Sequence, residues 1–226
     1  MKRFLLAAML VVGSTAMLPG QNGQGVPGFS TVGEPENHAI SVDRLIRYHD
    51  SGQYESDIRL VVNSAMSYLR ERVAPAKGEK LAAVFDIDET ALSNWDTMSG
   101  CGFCSYRSQQ KLYPNPKATV ISPTLELFNL AKSRKVAVFF VTGRQKEQHD
   151  LTVQNLHDAG YADWDGLIMQ PDGDTDAARI FKPRNRESIE KEGYHIVLNI
   201  GDQASDLAGC CAERVFKLPN PFYLVQ

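Results

Sequence analysis

The stretch LAAVFDIDET, at residues 81–90, joins a short apolar run directly to a set of acidic residues. The run Leu81–Phe85 is hydrophobic throughout, which is typical of a strand that is buried on both faces of a parallel sheet. In an open α/β sheet, the functional site lies beyond the carboxyl ends of the strands. We therefore expect Asp86 and Asp88 to leave a central strand at the edge of the sheet where such a site would form.

Further apolar runs alternate with segments of helical periodicity along the rest of the chain. The predicted strands are Leu81–Phe85, Val136–Val141, Gly166–Met169 and Ile196–Ile200, with Val215–Leu218 as a candidate fifth. The predicted helices are Tyr54–Val73, Thr124–Ser133, Lys146–Ala159 and Arg186–Glu192. Strands that alternate with helices indicate a parallel sheet with helices on both faces. The sequence thus predicts an α/β fold: a single doubly wound, Rossmann-like parallel sheet preceded by N-terminal helices.

Polar residues follow the other predicted strands at the same edge of the sheet. Thr142-Gly143-Arg144 comes after the second strand, Asp202 and Asp206 come after the fourth, and Lys182 lies between the third and the fourth. Carboxylate oxygens suit a hard cation such as Mg²⁺, while a lysine and a hydroxyl can hold the outer oxygens of a phosphoryl group. One aspartate could then attack phosphorus while another protonates the leaving oxygen. The set predicts phosphoryl-transfer chemistry.

In their order and their contexts, these motifs resemble those of the haloacid-dehalogenase-like (HAD) superfamily. The matching strings are DIDET at 86–90, VTGR at 141–144, FKP at 181–183 and IGDQASD at 200–206. Within the superfamily, the chain is most similar to the secreted acid phosphatase branch, subfamily IIIB, which includes plant vegetative storage proteins. The likeness extends from about Asp43 to the C-terminus. It implies that the sheet is a HAD core with a small cap insertion.

The resemblance implies a role for each matched residue. Asp86 would be the nucleophile that forms an aspartyl-phosphate, and Asp88 would be the general acid and then the base that activates water. Thr142, Gly143 and Lys182 would bind the phosphoryl group. Some storage-protein relatives lack the nucleophile, and because this chain keeps Asp86 the resemblance favours an active enzyme. The implied Mg²⁺ ligands are Asp86, Asp88 through its backbone carbonyl, Asp202 and Asp206.

Residues 91–123, between the first two strands, leave room only for a small cap, so we expect a fairly open site. The aromatic residues of this segment could stack on a nucleoside or aryl group, or could simply pack the cap. They are Trp95, Phe103, Tyr106 and Tyr113. Asn94, Trp95 and Arg144 are the candidate substrate contacts. The expected substrate is a small phosphomonoester, such as a nucleotide or an aryl phosphate.

The N-terminus has the features of a secretory signal peptide. Lys2-Arg3 precedes the apolar stretch Phe4–Val12, and Ser14-Thr15-Ala16 would permit cleavage after Ala16. The apolar stretch is too short for a spanning helix, which needs about 20 residues; a retained membrane-surface anchor is the alternative. We expect a signal peptide at 1–16, a flexible segment at 17–40 and a phosphatase domain at 41–226, in a protein that is secreted or periplasmic.

Composition and charge exclude several classes of protein. With 24 Lys+Arg against 27 Asp+Glu, the net charge is −3 and the isoelectric point is about 6.0. Nothing therefore favours binding to nucleic acid or to an anionic membrane surface. A hydrophobic fraction of 43% and a charged fraction of 23% exclude both a disordered chain and a chain inserted stably in a membrane. Composition leaves open whether the protein forms an oligomer.

The predicted export gives the cysteines added interest, because oxidising compartments allow disulfides. The four cysteines, Cys101, Cys104, Cys210 and Cys211, permit three pairings, and structural disulfides or buried thiols are favoured. A redox role for Cys101 and Cys104 is an alternative, although the pair lacks the strand-to-helix context of a thioredoxin-like site. The adjacent Cys210 and Cys211 have poor spacing for a zinc site.

The residues and the resemblance together predict an exported, Mg²⁺-dependent acid phosphatase that hydrolyses phosphate monoesters through an aspartyl-phosphate on Asp86. Two alternatives stay open. The same intermediate could pass its phosphoryl group to an acceptor alcohol, which would make the protein a phosphotransferase. The chain could also be a catalytically weak storage or binding protein on the same fold.

Overall fold

A computed structural model describes residues 36–74, 78–105, 115–174 and 176–225 of the 226-residue chain. The strands, in chain order, are β1 (Leu81–Phe85), β2 (Leu92–Ser93), β3 (Thr119–Val120), β4 (Ala137–Gln145), β5 (Gly166–Gln170), β6 (His195–Gly201) and β7 (Arg214–Lys217). A five-stranded sheet has the order β5-β4-β1-β6-β7, and all its neighbouring strands are parallel. The chain winds outward from β1 in both directions, so the predicted doubly wound parallel sheet is confirmed.

Helices cover both faces of this sheet. In chain order they are α1 (His38–Asp50), α2 (Gln53–Val73), α3 (Trp95–Gly100), α4 (Ser122–Ser133), α5 (His149–Asp158), α6 (Ala178–Lys191) and α7 (Ala204–Leu207), with a 3₁₀ turn at Lys146–Gln148 before α5. α4 begins two residues before the predicted position. Pro123 lies in its first turn, where the fixed φ of proline favours a helix and the missing N–H costs no hydrogen bond.

The central strand β1 packs against both layers of helices. Leu81, Ala83 and Phe85 belong to the hydrophobic cluster that includes α2, α4 and α5, whereas Ala82 and Val84 belong to the cluster that includes α6. Successive side chains of a strand point to opposite faces of a sheet, which accounts for this division. All residues of β1 are buried, so the acids that follow it leave a rigid, fully packed element.

Helix α6 begins well before the predicted helix Arg186–Glu192. It starts at Ala178 and contains Pro183, so Lys182 lies between β5 and β6 as predicted, but within the helix that connects them. A proline inside a helix removes one backbone hydrogen bond. The burial of Phe181 and Ile189 against the sheet offsets this loss, because each large apolar side chain contributes about 1.5–3 kcal/mol when buried.

The cap between β1 and β4 is small. β2 and β3 form a short antiparallel ribbon, α3 follows β2, and a disulfide joins Cys101 to Cys104 just after α3. Tyr106 and Tyr113, two of the aromatic residues considered for substrate stacking, fall at 106–114, outside the described residues. A second disulfide joins the adjacent Cys210 and Cys211 before β7. The four cysteines therefore pair with their nearest neighbours in the sequence.

The N-terminal expectations fall largely outside the described part of the chain. The predicted signal peptide at 1–16 and the segment up to residue 35 are not among the described residues. Helix α1 begins at His38, so the last three residues of the segment expected to be flexible, 38–40, are helical. Within the described ranges, no helix is both long enough and apolar enough to cross a membrane.

Candidate active site

The carboxyl ends of the central strands border a cleft of about 720 Å³. The backbone N–H of Asp86 donates to the carbonyl oxygen of Ile200 at 3.0 Å, which holds the ends of β1 and β6 together. Residues that are far apart in the sequence thus reach one site. The cleft is lined by most of the residues that the sequence singled out: Asp86, Asp88, Gly143, Arg144, Lys182, Asp202 and Asp206.

The ammonium of Lys182 lies between two of the aspartates. Its Nζ donates to Asp86 Oδ1 at 2.5 Å and to Asp206 Oδ1 at 2.7 Å, and all three side chains are buried. Burial by itself would lower the pKa of Lys182, but the charges of Asp206 and Asp86 outweigh it and raise this pKa above its ordinary value. Lys182 is therefore a permanent cation at the base of the cleft.

Negative charge is crowded around this cation. Burial raises the pKa of Asp86 to about 6 against the opposing charge of Lys182. Burial, together with the charges of Asp206 and Asp86, also raises the pKa of Asp202 well above its ordinary value, although Gln203 Nε2 donates to its Oδ2 at 2.5 Å. Carboxylates that resist ionisation in this way gain from a further cation placed among them.

Asp86, Asp202 and Asp206 form a donor set that could hold a divalent metal ion. One carboxylate oxygen from each lies within 4.8 Å of the other two, and all three residues are buried. Hard divalent cations prefer oxygen ligands of this kind. The carboxylate of Asp88 is not part of this set, which leaves to Asp88 only the backbone ligand that the family resemblance implies.

Arg144 binds the carboxylate of Asp88 in bidentate fashion. Its Nη2 donates to Oδ1 at 2.7 Å and its Nε to Oδ2 at 3.0 Å, while Asn94 Nδ2 donates to Oδ1 at 2.9 Å. Burial alone would raise the pKa of Asp88, but the charge and hydrogen bonds of Arg144 lower it below its ordinary value. The oxygens of Thr152 and Asn155, on α5, accept from Nη1 of Arg144 at 3.2 and 3.3 Å. Both Asn94 and Arg144, predicted as substrate contacts, thus orient Asp88.

The other candidates for phosphate binding lie on β4, which continues past the predicted end at Val141. Thr142 is 1% exposed, and its Oγ1 accepts from the backbone N–H of Arg144 at 3.1 Å, so its hydroxyl supports the end of the strand. Pairing of β4 with β5 is irregular between Thr142 and Gln145. This bulge places Gly143 at the cleft, where it forms part of the wall.

Trp95 lies outside the cleft, contrary to the sequence-based expectation. Its ring stacks on His49 with 3.6 Å between centroids and 6° between planes, and it also contacts Phe103 and Phe222. Trp95 and His49 line a separate pocket of about 260 Å³. Large aromatic surfaces gain more from mutual burial than from exposure over an open cleft. For Trp95 and Phe103 these contacts favour packing, one of the two interpretations of the cap aromatics.

Glu89 and Tyr223 are site residues that sequence reasoning missed. Glu89 is fully buried with a φ of 56°, and its carboxylate accepts from the backbone N–H of Asn94 at 2.6 Å and from Tyr223 Oη at 3.1 Å. Burial and the charge of Asp88 raise the pKa of Glu89 to about 8. The position of Glu89 within DIDET was a usable signal. No local pattern marks Tyr223, which reaches the site only through the fold.

Two residues outside the predicted site hold Asp206 in place. Gly201 ends β6, and a Cβ at this position would lie 2.5 Å from the Cβ of Asp206, so the close approach requires glycine. The buried Arg186 donates to the carbonyl oxygens of Asp206 at 2.8 Å and Cys210 at 3.0 Å, and also to that of Ala208. Its guanidinium thus satisfies backbone carbonyl groups of α7, which carries Asp206, and of the loop that follows it.

Comparison with known proteins shows the family of the chain. Residues 24–226 match the model of a family described as HAD superfamily, subfamily IIIB (acid phosphatase). The chain is 34% identical over 207 residues to the stem 28 kDa glycoprotein of Glycine max, covering 88% of this chain and 78% of that protein. It is 36% identical over 189 residues to acid phosphatase 1 of Solanum lycopersicum, covering 81% of this chain and 74% of that protein. Vegetative storage protein 1 of Arabidopsis thaliana is 31% identical over 180 residues, and the match covers 77% of this chain and 66% of that protein.

A solved structure shares the same architecture. The class C acid phosphatase from Bacillus anthracis superposes with a TM-score of 0.66 at 21% sequence identity, covering 82% of this chain and 84% of that one. At this level of identity the likeness shows the fold. The family match, by contrast, rests on sequence and confirms the resemblance that the four motifs indicated.

Proposed function

The chain belongs to the acid phosphatase family of the HAD superfamily, subfamily IIIB, and on this premise we propose that it hydrolyses phosphate monoesters through a covalent intermediate on Asp86. The predicted class of enzyme, a phosphomonoesterase, is the class of this family. The observation that carries the proposed mechanism is the position of Asp86 beside Lys182 at the end of β1. A nucleophilic carboxylate needs such a fixed position and a neighbouring positive charge.

Asp86 supplies the attacking oxygen. Its carboxylate forms a bond to phosphorus as the bond from phosphorus to the leaving alcohol breaks, and an acyl phosphate on Asp86 results. Lys182, whose Nζ already lies 2.5 Å from Asp86 Oδ1, stabilises the negative charge of the transferred oxygens. Gly143 presents bare backbone at the cleft wall, which lets the phosphoryl group approach closely. Thr142 supports this wall from beneath through the backbone N–H of Arg144.

Asp88 transfers the proton in both halves of the reaction. Arg144 favours the ionised carboxylate, so Asp88 must take up a proton before the first step, in which it gives this proton to the leaving oxygen. In the second step it accepts a proton from the water that attacks the acyl phosphate and frees Asp86, and Asp88 is then protonated again for the next turnover. Arg144 and Asn94 hold its carboxylate in one orientation through hydrogen bonds of 2.7–3.0 Å. A fixed orientation is what proton transfer to a bound leaving group requires.

The proposed metal is Mg²⁺, held by Asp86, Asp202 and Asp206. When bound, it would offset the negative charge of the phosphoryl group and of the carboxylates around it. The chain itself orients the donors: Gln203 Nε2 and Asn220 Nδ2 donate to Asp202 Oδ2 at 2.5 and 2.6 Å, and the backbone N–H of Gln203 donates to Asp206 Oδ2 at 2.8 Å. Such outer contacts keep metal ligands in position before the ion arrives.

The protein is further proposed to be exported. The signal-like sequence at 1–16 supports export, as do the local disulfides Cys101–Cys104 and Cys210–Cys211, because disulfides persist in oxidising compartments. Neither pair is among the described residues that line the cleft. This position favours a structural role for both disulfides over a redox role in catalysis.

A panel of phosphate monoesters, assayed with the full chain, tests the proposed activity. The wild-type protein should hydrolyse phenyl phosphate, lose turnover when a chelator is added, and recover it with Mg²⁺. Absence of turnover on every ester would overturn the phosphatase assignment and would favour a storage or binding protein. Analysis of products formed in the presence of an added alcohol separates hydrolysis from phosphotransfer.

A pair of variants tests the nucleophile. Asp86→Asn should lower turnover about a thousandfold or more, because the amide cannot form the acyl phosphate. Asp43→Asn, at an exposed position of α1, is the matched control and should keep wild-type activity. Near-normal turnover by Asp86→Asn would remove Asp86 from the mechanism without removing the phosphatase activity itself.

A further inference from the structure

One wall of the cleft is formed by Tyr223, Leu224 and Val225, which belong to the segment 222–225. The segment is attached to the site at two points. Tyr223 Oη donates to Glu89 Oε2 at 3.1 Å, and the backbone N–H of Val225 donates to Gln203 Oε1 at 3.1 Å. Because Glu89 is next to Asp88 and Gln203 is next to Asp202, the segment has a defined position relative to the catalytic carboxylates.

Leu224 lies between the two points of attachment, and its side chain is 68% exposed. Single exposed leucines are common on protein surfaces, and Leu60 on α2, at 67% exposed, is an example in this chain. Leu224 differs because it lines the active-site cleft, whose other described lining residues are mostly polar or charged. An apolar group bound in the cleft would cover Leu224 and remove apolar surface from water.

The charges of the cleft restrict which leaving groups the substrate can carry. Lys182 and Arg144 are the cations among the described lining residues, and each already binds an aspartate. Glu147 and Asp174 add negative charge to the lining. A leaving group that carried a second anionic group would therefore meet carboxylates and no available lining cation in the described part of the cleft.

From these contacts we propose that Leu224 is a specificity-determining residue, and that the enzyme prefers monophosphate esters whose leaving group is apolar and uncharged. The inference rests on the proposed phosphatase function and deepens it. The phosphoryl group occupies the end of the cleft at Lys182, and the leaving group extends along the segment 222–225. This wall is open to solvent, so its contact with the leaving group should discriminate between substrates less strongly than an enclosed pocket would. We expect a difference in kcat/KM of about fivefold to tenfold.

The test compares phenyl phosphate with glycerol 2-phosphate in wild type and in Leu224→Asn. The variant should lower kcat/KM for phenyl phosphate about fivefold to tenfold, mainly through KM, and change kcat/KM for glycerol 2-phosphate less than twofold. The quantity compared between wild type and variant is the ratio of kcat/KM for phenyl phosphate to kcat/KM for glycerol 2-phosphate. The different intrinsic reactivity of the two esters cancels in this comparison. Leu224→Met, which keeps an apolar side chain of similar volume, should preserve the wild-type ratio.

Leu60→Asn is the matched control, since Leu60 has the same exposure and lies on α2 away from the cleft. It should leave the ratio unchanged, and inhibition by inorganic phosphate should be equal in wild type and Leu224→Asn.

In the wild type, propyl phosphate should be a better substrate than propane-1,3-diol bisphosphate, and equal rates would overturn the preference for an uncharged leaving group.

The outcomes separate this inference from the function on which it rests. If wild type turns over both esters and Leu224→Asn has the wild-type ratio, the specificity role of Leu224 is overturned and the phosphatase assignment stands. If Leu224→Asn loses kcat/KM equally on both esters, the specificity role is likewise overturned, because such a loss indicates general damage to the site. If wild type turns over neither ester, the proposed function itself fails, and the specificity inference fails with it.

Discussion

The Nζ of Lys182, on helix α6, lies 2.5 Å from the carboxylate of Asp86, which follows strand β1. If this lysine stabilises the phosphoryl oxygens, Lys182→Met should lower kcat/KM for phenyl phosphate about a hundredfold or more. The same change should weaken inhibition by inorganic phosphate, because methionine keeps the apolar stem and removes the charge. Initial rates and phosphate inhibition curves measure the two effects. Lys191→Met, exposed on the same helix, should alter neither, and a loss below threefold in Lys182→Met would contradict the assigned role.

Arg144 and Asp88 form a bidentate pair whose geometry a lysine cannot reproduce. Arg144→Lys keeps the positive charge, yet it should lower kcat about tenfold or more with little change in KM, because the carboxylate of Asp88 loses its fixed orientation. Steady-state kinetics on phenyl phosphate separate the two constants. The exposed Arg134 provides the control, and Arg134→Lys should behave as wild type. A change confined to KM would instead make Arg144 a substrate contact, as the sequence alone suggests.

Gly201 is required for the close approach of Asp206 to the end of β6. In Gly201→Ala the new Cβ would lie 2.5 Å from the Cβ of Asp206, so Asp206 must move. We expect the free energy of unfolding to fall by about 1–3 kcal/mol and the affinity for Mg²⁺ to decrease. Urea unfolding and calorimetric titration of Mg²⁺ measure these quantities.

Gly100→Ala is the control for this change, because a Cβ at Gly100 of α3 would meet nothing within 4 Å. It should change the free energy of unfolding by less than about 0.5 kcal/mol and leave Mg²⁺ binding unaltered. Equal Mg²⁺ affinity in Gly201→Ala and wild type would show that the position of Asp206 is not needed for the metal.

Glu213 connects helix α2 to the sheet, and its effect on stability should depend on pH. Its carboxylate accepts from Arg72 Nε at 2.8 Å and from Tyr68 Oη at 2.6 Å, and its Oε1 lies 2.6 Å from Nε2 of His195. The hydrogen bond with Arg72, above all, lowers the pKa of Glu213 to about 2. Since the pKa is lower in the folded state, ionised Glu213 stabilises the fold above the ordinary value of 4.5, and this contribution disappears as the pH falls through about 2.

Glu213→Gln should therefore lower the free energy of unfolding by about 1 kcal/mol at pH 7, a figure reduced for screening by solvent. The difference from wild type should shrink progressively below pH 4.5. Urea unfolding at several pH values measures it. Glu71→Gln, at an exposed position on the same helix, should show no such trend, and a pH-independent deficit in Glu213→Gln would contradict the ionic origin of the effect.

Local sequence was sufficient to predict the five strands of the parallel sheet, although β4 extends past Val141 to Gln145 and the short strands β2 and β3 were not predicted. The uniformly apolar run before Asp86 indicated a strand buried on both faces, and the structure places that strand at the centre of the sheet. The acids after β1 and β6 reach one cleft, as parallel strands require. Lys182 was included in the same set and lies in the cleft, but its helix was predicted to begin only at Arg186, because the burial of Phe181 and Ile189 outweighs the local effect of Pro183.

Predictions about the substrate side were weaker, because they depended on how distant segments pack. Trp95 was a reasonable candidate from its position in the cap, yet it stacks on His49 from α1. Tyr223 and Leu224 had no local signal at all, and they line the cleft because their segment folds back onto Gln203 and Glu89. No periodicity along the chain reports a contact of that kind.

The sequence by itself determined the α/β architecture, the family and the set of acids that follow β1 and β6. It could do so because burial on both faces of a sheet leaves a uniform apolar run, and because the strand ends place their next residues at one edge. Only the tertiary structure decided which partner each group has: Lys182 with Asp86, Arg144 with Asp88, and Tyr223 with Glu89. These pairs depend on the packing of helices and of the segment 222–225 against the sheet, and the free energy of that packing is a property of the whole fold and not of any one stretch of chain.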